Sequence, residues 1–172
     1  MALVKQMDTT EILIKIRKIV RSINKKKKKI QKEYGVSIPQ ILCLDHLYHS
    51  NNYQSTQGDL KKFLNLNSST TSGIINRMEA KNLIARLPKS GDRRVVKIAL
   101  TSKGSQLLQK IPPLLHEQLS KKLDNQDNET LKQLQNSLEL LVNLLEIDQE
   151  EATPFIAFDE NLEEGKDPIL PE

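Results

Sequence analysis

A chain of 172 residues suits one domain, or one domain with a tail. Aromatic residues make up only 3% and tryptophan is absent, so a core must be built largely from Leu and Ile. A single cysteine, Cys43, excludes an internal disulfide framework and a multi-cysteine zinc site. No apolar run approaches the roughly 20 residues a bilayer span needs, and the N-terminus lacks a basic-then-apolar leader, so the expected location is the cytoplasm.

The first expected helix covers about 9–34. Thr9 or Thr10 can cap it, and Ile12, Ile16, Ile19, Ile23 and Ile30 form an apolar stripe with a heptad-like seam. Lys26 interrupts that seam within the run Lys25 to Lys29. The run need not end the helix, because lysine is a good helix former; Gly35 is the expected end. Ser37 to Pro39 reads as the next helix start, followed by a short, mostly buried helix with Ile41, Leu42, Leu44, Leu47 and Tyr48. Ser50 to Tyr53 is a polar break. Ser55 or Thr56 can cap a third helix with Leu60, Phe63 and Leu64, and Asn65 to Asn67 is a tight turn before a fourth helix over Ser68 to Lys81.

Two helices joined by so short a turn read as helix-turn-helix. Asn82 then stands where a left-handed residue is often needed. Leu83 to Pro88 and Arg94 to Leu100, separated by Lys89 to Arg93, read as a β-hairpin. Thr101 caps a further helix whose apolar face runs from Leu107 to Leu119, and Pro112 and Pro113 must kink it or split it. The last helix, about 128–147, carries Leu131, Leu134, Leu138, Leu141 and Leu145 at heptad spacing.

The net charge of +4 hides a division. Residues 148–172 hold nine acidic side chains and one lysine, whereas residues 1–147 hold 25 basic and 13 acidic ones. A basic body attracts polyanions through its field and through counterion release. The acidic stretch contains three prolines and no amphipathic period, so a flexible tail is expected after a domain over 1–147.

The order helix, helix, helix-turn-helix, hairpin, long helix, final helix is that of a mainly α winged helix-turn-helix with a β-hairpin wing and extra terminal helices. Three stretches resemble the MarR (multiple antibiotic resistance regulator) family: Ser69 to Arg86, Gly91-Asp92-Arg93-Arg94, and Leu100-Thr101-Ser102-Lys103-Gly104. The departures are Asn82 in place of the usual glycine, Met78 for leucine, and the C-terminal extension.

The resemblance implies a cytoplasmic, nucleoid-associated homodimer that binds a pseudo-palindromic operator in double-stranded DNA. It would be a regulator, in most members a ligand-responsive repressor, with its DNA-binding lobe over about 37–101. In that reading Ser68, Ser69, Thr70, Thr71 and Ser72 offer hydroxyls and backbone N–H groups at a helix N-terminus to phosphates and base edges. Asn76 and Arg77 can pair with bases. Arg93 and Arg94 tip the wing, Arg93 entering the minor groove, while Asp92 orients a neighbour such as Arg86. Ile12, Ile16, Ile19 and Ile23 with Leu134, Leu138, Leu141 and Leu145 would interlock two subunits.

The resemblance also implies a small lipophilic or aromatic-acid effector bound between the dimerisation region and the DNA-binding lobe. No cofactor and no metal are expected. Cys43 lies in an apolar stretch where packing is the expected role. His46, His49 and His116, with Asp45, are scattered metal-ligand types without a full set. An adaptor that binds protein through its winged helix is the competing reading, and the Ser/Thr/Asn/Arg helix with an arginine wing argues against it. No acid/base pair, phosphate loop or nucleophile elbow points to an enzyme.

Overall fold

The computed structural model describes residues 9–88 and 95–147. Helix α1 (Thr9–Tyr34) runs through the whole lysine stretch and stops at Gly35, whose φ of +69° only glycine adopts without cost. Helix α2 (Ile38–His49) starts with Pro39 in its first turn, where the missing N–H is not needed. The Gln40 Oε1 accepts from the Ser37 N–H at 3.0 Å. A short 3-10 turn (Asn51–Tyr53) leads to strand β1 (Gln54–Thr56), helix α3 (Gln57–Leu64) and helix α4 (Ser68–Ala80). Strands β2 (Ile84–Arg86) and β3 (Lys97–Leu100) follow, then helices α5 (Ser102–Lys110), α6 (Leu115–Leu123) and α7 (Asn128–Leu144).

The sheet has the order β1-β3-β2, antiparallel throughout, with Ser55 opposite Ile98 and Arg86 opposite Ile98 on its other side. The hairpin expected from Leu83 to Leu100 is thus joined by a third strand. Gln54, Ser55 and Thr56 carry no apolar signal, so only pairing with β3 reveals that strand. Pro112 and Pro113 separate α5 from α6 completely. Between them Ile111 is extended and Leu114 is buried, its N–H held by Glu117 Oε2 at 3.1 Å.

The core gathers around α2. Leu44 and Leu47 meet Leu60 and Leu64 of α3, Ile74, Ile75 and Met78 of α4, and Ile98 of β3, all fully buried. Cys43 is part of this core. The terminal helices differ: α1 and α7 bury no residue. Ile12, Ile19, Leu134, Leu138 and Leu145 are exposed, while Ile16, Ile23 and Leu141 are half-buried. An apolar stripe left in water forfeits about 25 cal/mol for each Å² not covered. Ile12 and Ile19 of one heptad seam and Leu134, Leu138 and Leu145 of the other therefore lack cover among the described residues.

Candidate nucleic-acid interface

The turn between α3 and α4 is set by two asparagines. Asn65 adopts the left-handed conformation (φ 50°) that ends α3. Asn67 is the N-cap of α4: its Oδ1 accepts from the Thr70 N–H at 2.8 Å and from the Ser69 hydroxyl at 2.7 Å. The cap of α4 is thus an asparagine one residue ahead of the serine run. At the other end the Leu83 N–H bonds Met78 O at 3.0 Å while Asn82 is left-handed (φ 57°), which closes the helix and launches β2.

The five hydroxyl residues of α4 do not share one face. Ser68 and Ser69 are exposed and Thr70 is half-buried. Thr71 is removed from the surface: it is fully buried, and its hydroxyl donates to Asn67 O at 2.9 Å. The run Ser-Ser-Thr-Thr-Ser necessarily turns one member inward, because consecutive helical residues are about 100° apart and Ile74, Ile75 and Met78 fix the inner side. Ser72 is half-buried, donates to Ser68 O at 2.8 Å and accepts from Gln57 Nε2 at 2.7 Å. The exposed face of α4 continues through Asn76 and Arg77. A Cβ at Gly73 would lie 3.4 Å from Arg77 Nη1, so the guanidinium folds back along the helix towards its N-terminus.

Arg86 of β2 ties the sheet to this helix. Its Nη1 pairs with Glu79 Oε2, its backbone N–H donates to Glu79 Oε1 at 3.3 Å, and its Nη2 donates to Asn76 Oδ1 at 2.6 Å. The sequence offers Arg86 as one neighbour for Asp92 to orient; Glu79 and Asn76 are further partners that it does not signal. Asp92, Arg93 and Arg94 lie outside the described residues. The strands leading to them are in register, with the Leu87 N–H bonded to Lys97 O at 2.9 Å.

A cleft of about 330 Å³ lies where α3, the start of α4 and the wing strand meet, lined by Gln57, Lys61, Ser68, Val95 and Val96 among others. Gln57 and Lys61 join the site through this cleft. The adjacent pair Lys61-Lys62 before a turn was their only sequence signal. A helix N-terminus facing a lysine across a cleft is chemically suited to an anionic oxygen.

A second cavity, of about 380 Å³, opens between α1, the start of α2 and the α5–α6 junction. Ile23, Ile30, Tyr34, Leu114 and Leu115 supply its apolar wall, with Lys26, Lys27 and Lys29 on the α1 side. His116 also lines it. The other two histidines are engaged within the lobe: His46 Nε2 lies 3.2 Å from Ser55 Oγ with its ring 4.5 Å from Phe63, and His49 Nδ1 lies 3.0 Å from Asp45 O. Among the described residues no group of three His, Cys, Asp or Glu is placed to hold a metal ion, and no helix is long and apolar enough to cross a membrane.

A MarR family model matches residues 36–96, from the end of α1 to the wing strand. The uncharacterized HTH-type transcriptional regulator YsmB of Bacillus subtilis (strain 168) is 30% identical over 123 residues, covering 72% of this chain and 83% of that protein. The organic hydroperoxide resistance transcriptional regulator of the same organism is 31% identical over 125 residues, covering 73% and 82%. Among solved structures, the Staphylococcus aureus MepR–DNA complex superposes with a TM-score of 0.59 at 23% identity, covering 74% of this chain and 93% of that one. AbsC, a MarR family transcriptional regulator from Streptomyces coelicolor, gives 0.58 at 24% identity, covering 81% and 96%. Sequence, element order and superposition agree, and this chain belongs to the MarR family of winged-helix transcriptional regulators.

Proposed function

We propose that the protein is a sequence-specific double-stranded DNA-binding repressor that acts as a homodimer and responds to a small effector. The observation that carries the DNA reading is the outer face of α4. An asparagine-capped N-terminus with exposed Ser68 and Ser69 leads into Asn76 and Arg77, and Arg86 braces the helix against the wing. Such a helix fits the major groove, and an arginine-tipped hairpin beside it reaches the adjacent minor groove. Ser68, Ser69, Thr70 and Lys61 would position the lobe on phosphates. Arg77 and Arg93 would read bases or groove width, with Arg94 beside the latter. Asn76 would offer its amide N–H₂ to a base, its oxygen being engaged by Arg86.

Uncovered seams on α1 and α7 support the dimer, since each subunit supplies the apolar surface the other lacks. YsmB and the hydroperoxide-resistance protein carry the name of transcriptional regulators, and MepR has been solved on DNA. The cavity beside α1 suits a lipophilic anion, which fits the effector reading. The cytoplasm follows from the role. Retardation of the DNA flanking the coding region tests the proposal. Arg77→Ala and Arg93→Ala are each expected to weaken binding by about 1–3 kcal/mol if they read bases. Wild-type affinity in both folded variants would remove the assignment.

A further inference from the structure

The cavity between α1 and the α5–α6 junction pairs an apolar wall with a lysine edge. Lys26, Lys27 and Lys29 line it together with one carboxylate, Glu33. Lys26 Nζ reaches Gln118 Oε1 at 3.3 Å across the opening, and Lys29 Nζ lies 3.7 Å from Glu33 Oε1. Three cations against one anion leave the edge basic. Below it, Ile23, Ile30, Leu114 and Leu115 offer no hydrogen-bonding side chain.

The chain itself contains a segment of the opposite design. Pro154-Phe155-Ile156-Ala157-Phe158 is the one aromatic-rich stretch beyond α7, with Glu150 and Glu151 before it and Asp159 and Glu160 after it. Its apolar centre between acidic pairs matches an apolar wall beside lysines. Two of the chain's three phenylalanines stand in these five residues, and a solvating acidic tail has no use for them. Reach does not forbid the match. Pro154 is seven residues beyond Ile147, and an extended chain covers about 3.3–3.6 Å per residue, so about 25 Å. A body of 147 residues has a radius of gyration of about 15 Å.

We propose that the acidic C-terminal segment around Phe155 and Phe158 docks into the lysine-edged cavity formed by α1, α2 and the α5–α6 junction. An internal occupant there holds α1 against the α2 end of the DNA-binding lobe, and a lipophilic anion entering the cavity must displace it. The docking adopts the effector cavity of the proposed function, but its test uses neither DNA nor effector, so the two readings fail separately.

The absence of tryptophan makes the test direct. Phe155→Trp in the full-length chain places a single indole at the centre of the segment. At low ionic strength its emission is expected to lie to the blue of free tryptophan amide. It should return to the free value when Lys26→Glu and Lys29→Glu are added, with far-ultraviolet dichroism unchanged. Emission at the free value in the single variant at low ionic strength overturns the docking. So does a blue shift that the lysine substitutions leave untouched in a folded protein, which would seat the segment elsewhere and leave the cavity to another occupant.

Discussion

Gly104 of α5 lies against the backbone at the entry to β2. The Leu83 carbonyl lies 2.2 Å from where its Cβ would be, and Leu100 Cδ1 lies at 2.8 Å. Thr101 fastens the same junction: its hydroxyl donates towards Asn82 O and Leu83 O at 2.8 and 2.9 Å and accepts from the Gly104 N–H at 3.1 Å. One backbone carbonyl thus fixes both the entry to β2 and the start of α5. Gly104→Ala forces the two apart and is expected to cost about 1–3 kcal/mol, as overpacking does. Urea unfolding reads this as a lower midpoint; an unchanged midpoint would mean the junction relaxes freely. Residue by residue, the sequence disclosed the cap at Thr101 and the left-handed Asn82, and left Ser55 and Thr56 as alternatives for the cap that Thr56 supplies. It did not disclose that Thr71 faces inward or that Glu79 holds Arg86, because both depend on helix phase and on strand register.

At the scale of elements, the helices were legible from their apolar periodicity, helped by a capping residue ahead of α3 and α5. Strand β1 was not legible, since three polar residues acquire strand geometry only by pairing with β3. The wing was legible from alternation in Val96, Ile98 and Leu100, though its arginine tip lies outside the described residues. Helix α7 stands apart because it buries no residue fully in its own subunit and so leans on its cap. Asp127 accepts from the Thr130 N–H at 2.8 Å and from the Thr130 hydroxyl at 2.7 Å. The backbone bond, then the hydroxyl bond, hold its carboxyl below the ordinary carboxylate value. A lowered folded-state pKa means the capping contribution is full above the unfolded value and is lost as pH falls through the folded one. Asp127→Asn keeps the cap without the titration. Its helicity, followed by circular dichroism on acidification, is expected to fall less than that of the wild type; identical acid profiles would deny the cap a role. The seams give a second outcome. Ile19→Glu with Leu138→Glu, both at exposed positions, is expected to shift sedimentation from dimer to monomer while leaving the lobe folded. A dimer that survives both would place the interface elsewhere.

Over the whole molecule, charge and symmetry work together. Residues 1–147 carry an excess of 12 positive charges while residues 148–172 carry an excess of eight negative ones. DNA affinity should therefore fall steeply with salt, by about 0.9 in log–log slope for each phosphate neutralised. Affinity without geometry gives no specificity. A two-fold pair would set two α4 helices about 34 Å apart, one turn of duplex. Hydroxyl-radical footprinting of the flanking DNA with the purified full-length protein measures that spacing directly. Two protected half-sites, related by a two-fold axis and centred about one helical turn apart, are the expected result. A folded protein that leaves every strand evenly cleaved at low ionic strength, or protects a single half-site as a monomer, would contradict it.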